Sequence, residues 1–178
     1  AICEEHEVIA IVAPSFIGQF GANVTVPKFV SAMKMLGFSD VVEVAVGADI
    51  CAIEEAEDYL EKVPNEKRFL ATSCCPSWRT MARRLFPNEA GNISMTFTPM
   101  IYTARLVKKE HPGCKVVFVG PCAAKKLEAM QPELRDDVDF VLTYEELQGI
   151  FEAKKVGFST ILDSDDLREG SSAGRGFA

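Results

Sequence analysis

Two cysteine-bearing segments carry most of the chemistry that this chain could perform. TSCCPSW occupies residues 72–78 and GPCAAKKLEA occupies residues 120–129, each at the end of an apolar run typical of a buried strand. A strand that ends at such a turn delivers a thiol into the crevice beyond the sheet. Two such strands side by side would bring Cys75 and Cys122 close together, which is the arrangement expected for a metal cluster.

The two adjacent cysteines are expected to have different roles. Neighbouring residues that leave a strand point to different sides, so Cys74 and Cys75 cannot easily face one iron atom together. One of them would bind the metal, and the other would be free for another task. Taken alone, Cys74 could also be a buried apolar residue with no chemical role.

The two segments resemble two of the three signature motifs of the iron-only ([FeFe]) hydrogenase large subunit, T-S-C-C-P-x-W and P-C-x-x-K-K-x-E. The resemblance runs from about Ile9 to the end of the chain and covers the first half of the family's catalytic, or H-cluster, domain. The third motif, E-x-M-x-C-x-x-x-C, does not occur in this sequence. The resemblance therefore implies that residues 1–178 form a single α/β lobe and that the C-terminal half of the domain is missing.

The resemblance implies a [4Fe-4S] cluster and a linked diiron unit as cofactors of the full-length protein. In the family, the second cysteine of the pair and the cysteine of the Pro-Cys step bind the cluster, which assigns Cys75 and Cys122 to the metal. The first cysteine of the pair is a proton donor beside the diiron unit, which assigns Cys74 to proton transfer. A thiol with an ordinary pKa of about 8.5 can exchange protons near neutrality when a relay restores it.

Two further positions match residues that hold the diiron unit. Lys125 falls where the family has a lysine that binds a cyanide ligand, and Ser15, in the turn Ala13-Pro14-Ser15, falls where a serine binds the other cyanide. The alternative interpretations are an exposed lysine in a first helical turn and an ordinary helix cap.

Three polar residues match the family's proton channel. They are Glu55 and Asp58, three apart on one predicted helix, and Ser94. Asp58 replaces a glutamate, so its shorter side chain would need an extra water to complete a relay. The alternative is that Glu55 and Asp58 belong to a solvated acidic face.

Two positions depart from the family without removing a ligand. Gly120 stands where a methionine usually precedes Pro-Cys, and Met100 stands where a glutamine lies near the diiron unit. Such departures occur in divergent, sensory-type members, so a hydrogen sensor is an alternative to a metabolic enzyme.

The pattern of strands and helices that must position these residues predicts a three-layer α/β fold. Consecutive apolar residues predict strands at residues 8–12, 41–46, 69–72, 115–120 and 139–143. Helical patterns lie between them, which predicts a mostly parallel sheet of four to five strands with helices on both faces.

Helix boundaries follow from apolar spacing and from capping residues. Three helices are expected to carry apolar side chains inward: Phe29, Met33 and Leu36 on the first, Ile53, Ala56, Leu60 and Val63 before Pro64 on the second, and Trp78, Met81 and Leu85 on the third. A fourth should run from Thr98-Pro99 to Glu110, and a capping box of Thr143 and Glu146 should begin the last.

Residues 169–178 are rich in Gly and Ser and are expected to be disordered.

Composition narrows the class of partner. The 178 residues include 19 basic and 26 acidic side chains, and the resulting net charge of −7 would repel nucleic acid and anionic membranes. The sequence contains no apolar stretch of the roughly 20 residues that a membrane helix needs, and AICEEHE does not resemble a secretory signal. A cytoplasmic protein with reduced cysteines is expected.

The leading hypothesis is an [FeFe]-hydrogenase that oxidises H2 or reduces protons, with a ferredoxin-like or fused iron–sulfur electron carrier and the missing C-terminal lobe as partners. The chain alone holds two of the four cysteines that the cluster needs, so we expect it to lack the complete cofactor and to be inactive. The alternative is a non-catalytic, hydrogenase-like iron–sulfur assembly or scaffold protein, whose members usually lack the counterpart of Cys74. A thiol-dependent redox protein is less well supported, because adjacent cysteines form a strained disulfide.

Overall fold

The computed structural model of the chain describes residues 2–63, 65–163 and 166–177. Four parallel strands form one sheet in the order β2-β1-β3-β4. The strands are β1 Val8–Val12, β2 Asp40–Glu43, β3 Lys115–Gly120 and β4 Phe140–Thr143. Every residue of β1 is buried, as expected for a strand covered on both faces, and the predicted α/β fold is confirmed.

Eight helices and three short 3-10 turns surround this sheet within the described ranges. The helices are α1 Ile2–Glu5, α2 Val26–Met35, α3 Ala45–Lys62, α4 Pro76–Leu85, α5 Pro99–Glu110, α6 Ala124–Ala129, α7 Tyr144–Ala153 and α8 Ser172–Phe177. The 3-10 turns are Pro14–Phe16, Pro87–Asn92 and Phe158–Thr160. In those ranges, the structure contains no helix with the length and apolar character needed to span a membrane.

The sheet divides the interior into two apolar cores. Helix α5 packs on one face, where Ile101 and Val107 meet Ile9, Ile11 and neighbouring side chains. Helices α2 and α7 cover the other face, where the Phe29 ring of α2 meets the Phe151 ring of α7 edge-on, with centroids 6.5 Å apart. Helix α3 lies against α5 and α8 and is therefore one layer further from the sheet.

Capping residues predicted two helices correctly. Helix α5 begins after Thr98 and ends at Glu110. Thr143 and Glu146 form the predicted reciprocal capping box at the start of α7. These signals are local, so they are readable before any tertiary contact is known.

The predicted strand at residues 69–72 is wrong. This segment lies outside the sheet and makes a single bridge, between Ala71 and Ile93, with hydrogen bonds of 2.9 Å from the Ala71 N–H to the Asn92 carbonyl and 2.8 Å from the Ser94 N–H to the Ala71 carbonyl. The predicted strand at 41–46 is also too long, because β2 ends at Glu43 and α3 begins two residues later. Apolar composition is shared by strands and by buried extended segments, so it does not distinguish them.

The inward face of α3 differs from the predicted apolar stripe. Ile53 and Leu60 are 61% and 73% exposed, whereas Gly47, Cys51 and Glu55 are buried. The Gly47 N–H donates to the Thr103 hydroxyl of α5 at 3.1 Å, so small residues let the two helices approach closely. Helix α3 ends at Lys62, and the predicted stop at Pro64 lies outside the described residues.

The C-terminal segment differs from the predicted disorder of residues 169–178. Helix α8 packs on α3, and Arg175 Nε donates to both carboxylate oxygens of the fully buried Glu43, at 2.8 and 2.9 Å. Ser171 also donates from its backbone N–H to Asp49 at 2.9 Å. These partners are more than 120 positions away, so local composition cannot reveal them; Ala178 lies outside the described residues.

Candidate metal centre

The candidate site is a cavity of about 180 Å³ at the carboxyl edge of the sheet. Three turns converge on it: the turn after β1, the segment before α4 and the turn after β3. Of the residues singled out from the sequence, eight line this cavity, namely Ala13, Pro14, Ser15, Cys74, Cys75, Met100, Cys122 and Lys125. The structure therefore brings both cysteine segments to one place.

The two adjacent cysteines occupy different environments. Cys75 is exposed and is the N-cap of α4, where its sulfur accepts a hydrogen bond from the Trp78 N–H at 3.5 Å. Cys74 is half-buried, and burial raises the pKa of its thiol above the ordinary value, an effect that the nearby Lys125 ammonium partly offsets. Cys74 thus holds its proton at neutral pH.

Cys75 and Cys122 are free thiols that face the same cavity. Thiolate sulfur is the ligand type that iron–sulfur clusters use, and a [4Fe-4S] cluster uses four of them. Within the described part of the chain, no three His, Cys, Asp or Glu side chains come together as a metal site. The residues present thus fit half of the ligand set of such a cluster.

Lys125 lies at the base of the cavity and is only 8% exposed, so the interpretation as an exposed first-turn lysine is wrong. Its Nζ donates to the Cys74 carbonyl at 3.0 Å and to Glu128 Oε2 at 2.8 Å. An ammonium group has three protons, so one remains for a group in the cavity. A negatively polarised ligand there would fit this donor.

Sequence reasoning did not single out Glu128, the last residue of the second motif. Glu128 is 2% exposed and forms the ion pair that keeps the Lys125 charge stable in the interior. The spacing of Lys125 and Glu128 could have predicted this ion pair, because residues three apart on a helix lie on the same face. The next lysine, Lys126, pairs with Glu146 on the surface instead.

The four residues assigned to proton transfer are not directly hydrogen-bonded to one another in the described ranges. Glu55 is buried, so the solvated-face interpretation is wrong for it, and its Oε2 has no hydrogen-bond partner in those ranges. Asp58 lies nearer the surface and pairs with Lys62 at 2.6 Å. The fully buried Ser94 hydroxyl donates to the Thr96 hydroxyl at 3.0 Å.

Cys51 lies four residues before Glu55 on the buried face of α3. Its thiol donates to the Phe97 carbonyl at 3.3 Å. Burial, and to a smaller extent the negative charge of Glu55, raise the pKa of Cys51 to about 12. The Ser73 and Thr98 hydroxyls are also buried without a partner within the described residues. Such groups are stabilised by bound water or ligand, so this region favours polar occupants.

The two departures from the family pattern make the cavity wall apolar. A Cβ atom at Gly120 would lie 2.5 Å from Phe118 Cζ and 3.2 Å from Ala13 Cβ. The Phe118 ring therefore occupies the space that a side chain at position 120 would need. Met100 is buried and lines the same cavity.

The fold and the paired thiols define the class, an α/β lobe related to iron–sulfur proteins. Residues 6–178 match the family described as iron-only hydrogenase large subunit, C-terminal domain, and the chain belongs to this family. The expected family is therefore confirmed.

Relatives of two kinds share this domain. Iron hydrogenase 1 of Clostridium pasteurianum is 31% identical over 195 residues, which cover 97% of this chain and 34% of that protein. The cytosolic Fe-S cluster assembly factor NAR1 of Meyerozyma guilliermondii is 30% identical over 155 residues, which cover 78% of this chain and 29% of that protein. The chain thus spans about a third of the length of the curated relatives that it matches.

A solved structure from a study of oxygen inactivation of an [FeFe]-hydrogenase has the same fold. It superposes with a TM-score of 0.78 at 22% identity, over 96% of this chain and 48% of that chain. At this identity the likeness concerns the fold.

Proposed function

We propose that this chain is the first lobe of the catalytic domain of an [FeFe]-hydrogenase, which interconverts H2 with protons and electrons. The observation that carries the proposal is the convergence of Cys74, Cys75, Cys122 and Lys125 on one cavity. Family membership supports an iron–sulfur or hydrogenase relation, and the geometry supports a site with both a metal-binding and a proton-holding thiol.

Under this proposal, Cys75 and Cys122 hold one side of a [4Fe-4S] cluster, and the C-terminal lobe of the same protein supplies the other two ligands. When bound, the cluster supplies electron transfer and the linked diiron unit supplies the site at which H2 is made or split. Lys125, held by Glu128 and the Cys74 carbonyl, directs its remaining proton at a negatively polarised ligand. Residues 1–178 alone then lack the complete cofactor and do not turn over.

The proton path we propose begins at the Cys74 thiol. Burial keeps this thiol protonated, so it can deliver a proton into the cavity. The resulting thiolate is then reprotonated by a group on the side away from the cavity. Glu55 passes protons to and from Cys74, and Ser94 lines the path between them and the surface. Asp58 exchanges protons with solvent at the surface. Because these groups are not directly bonded in the described ranges, the path needs intervening water.

Electrons would be exchanged with a ferredoxin-like or fused iron–sulfur carrier through the exposed Cys75 side of the cavity. The apolar Phe118 and Met100 in the cavity wall support a sensory role, in which slow turnover would serve to detect H2 more than to metabolise it.

A second candidate is a non-catalytic assembly or scaffold function, and the NAR1 relatives favour it. A scaffold needs the cluster ligands but not a proton-donating thiol. The half-buried Cys74 and the buried Glu55 therefore support the enzyme over the scaffold.

Replacing Cys74 in the full-length protein separates these candidates. We expect Cys74→Ala, loaded with a synthetic diiron complex, to lose at least about 100-fold in H2 evolution, as removal of a general acid does, while its iron content is unchanged. Cys3→Ala, at a half-buried thiol away from the cavity, is the matched control. Undiminished activity of Cys74→Ala would refute the assignment, and an inactive but iron-replete wild-type protein would favour the scaffold.

A further inference from the structure

Tyr144 links the carboxyl end of the edge strand β4 to the turn that follows β1 and lines the candidate site. It is the first residue of α7, directly after β4, and only 6% of it is exposed. Its hydroxyl donates to the Ala13 carbonyl at 3.1 Å and lies 2.8 Å from the Ser15 hydroxyl. Ala13 and Ser15 both line the cavity, whereas Tyr144 approaches the turn from behind.

The direction of the hydrogen bond between Ser15 and Tyr144 follows from counting protons. A tyrosine hydroxyl has one proton, and here it goes to the Ala13 carbonyl. The short contact to Ser15 then requires the serine to donate and the tyrosine oxygen to accept. Burial raises the pKa of Tyr144 to about 12, so its proton is retained at neutral pH.

The position of Tyr144 is fixed by its surroundings. The capping box of Thr143 and Glu146 holds its backbone at the start of α7. Its ring meets the Phe20 ring edge-on, with centroids 5.9 Å apart, inside the core that α2 and α7 share. The hydroxyl therefore has little freedom to release Ser15.

We propose that Tyr144 is a positioning residue of the candidate site: by accepting the Ser15 proton it turns that donor away from the cavity and leaves Ser15 facing the cavity as a hydrogen-bond acceptor. The Ser15 side of the cavity then suits a donor such as water or an N–H group. It does not suit a cyanide, which is an acceptor and which the resemblance places there. The orientation of the Ser15 hydroxyl is inferred from its contact with Tyr144 and does not depend on the proposed function. Its consequence for a cyanide ligand rests on the proposed function.

The orientation is tested on the chain with carbon-13 at the Cζ atom of its tyrosines. Ser15→Ala removes the donor from an exposed turn, so the Tyr144 resonance should shift downfield, toward the phenolate position, because the tyrosine oxygen loses an accepted hydrogen bond. The resonances of Tyr59 and Tyr102 should stay in place. Ser77→Ala, at an exposed serine of α4, should move none of the three. An unchanged Tyr144 resonance in Ser15→Ala, or an upfield shift as expected if Tyr144 donated to Ser15, would overturn the proposal.

The consequence is tested by infrared spectra of the cyanide ligands in the full-length, diiron-loaded protein. In the wild-type background, Ser15→Ala should leave the cyanide bands in place, because Ser15 does not donate to them. In the Tyr144→Phe background, the freed Ser15 proton can reach the cavity, so Ser15→Ala should then shift one band. A band shift on Ser15→Ala with Tyr144 intact would overturn the proposal; failure to load the diiron complex would count against the proposed function alone, and the tyrosine resonance would still decide the orientation.

Discussion

Lys125 and Glu128 bury two charges side by side beneath the cavity. Their Nζ and Oε2 atoms are 2.8 Å apart, and both residues are more than nine-tenths buried. A buried pair contributes little net free energy while intact, but removing one partner leaves an uncompensated charge in the interior. The ion pair therefore fixes the position of the Lys125 ammonium group, and the stability of the fold depends on both partners being present.

Replacing Glu128 should be far more costly than replacing the glutamate of the adjacent ion pair. We expect Glu128→Ala to lower the free energy of unfolding by about 3–5 kcal/mol in urea denaturation. Glu146→Ala is the control for the exposed pair with Lys126, although it also removes a capping-box contact, and should cost about 1–2 kcal/mol. Equal losses for the two variants would show that the Lys125 charge is not truly buried.

The Cys51 thiol should make stability depend on pH in the alkaline range. Burial raises its pKa from an ordinary value of 9.0 to about 12, so above pH 9 the unfolded chain loses this proton while the folded chain keeps it. The contribution of this group to the free energy of unfolding is fully present below pH 9. It is lost as the pH rises toward 12, at about 1.4 kcal/mol per pH unit. Urea denaturation between pH 8 and 11 should therefore give a steeper decline for the parent than for Cys51→Ala. Parallel declines would contradict the shift.

At the residue scale, sequence reasoning found the groups but not all their partners. Cys122 and Lys125 follow β3 at the carboxyl edge of the sheet, as expected for a ligand site in a parallel sheet. Cys74 and Cys75 reach the same cavity from an extended segment that lies outside the sheet. The contact of Tyr144 with Ser15 joins residues 129 positions apart, and only the three-dimensional fold reveals it.

At the scale of elements, the contact between α3 and α5 depends on the absence of a side chain at Gly47. A Cβ atom there would overlap Thr103 and the Pro99 carbonyl. This contact sets the position of Cys51 and Glu55, which follow on the same face of α3. The packing of these two helices thus controls the proton path that we propose.

Gly47→Ala and Gly149→Ala test this packing as a matched pair of glycines within helices. Gly149 lies in α7 with no atom within 4 Å of its missing Cβ, so alanine there should stabilise the fold by about 0.4–1 kcal/mol. Gly47→Ala should destabilise it by about 1–3 kcal/mol or more, because the overpacked helices must separate. Thermal or urea unfolding decides, and a neutral Gly47→Ala would show that α3 and α5 can move apart freely.

Sequence predicted the elements whose signals are local and failed where tertiary contacts decide. Consecutive apolar residues mark β1 and β3, and capping residues mark α5 and α7. The inward face of α3 was missed because it is built from small residues and a buried carboxylate, which hydrophobic periodicity cannot detect. Helix α8 was missed because it depends on the distant Glu43 carboxylate.

At the scale of the whole molecule, the chain presents an incomplete ligand set at an open edge. It spans about a third of the curated relatives and 48% of the solved hydrogenase chain that it matches. Two thiols face the cavity, and a [4Fe-4S] cluster needs four. As the ligands that we propose, Cys75 and Cys122 must therefore act together with ligands from elsewhere in the full-length protein.

The iron content of the full-length protein with both candidate ligands replaced tests this requirement most directly. Cys75→Ser/Cys122→Ser should lose the iron and the electron paramagnetic resonance signal of one [4Fe-4S] cluster, whereas the control Cys3→Ser/Cys51→Ser, at thiols outside the cavity, should retain both. Loss of a cluster from the first variant alone is the predicted result. Full iron content and an unchanged signal in Cys75→Ser/Cys122→Ser would contradict the assignment of these cysteines to the metal.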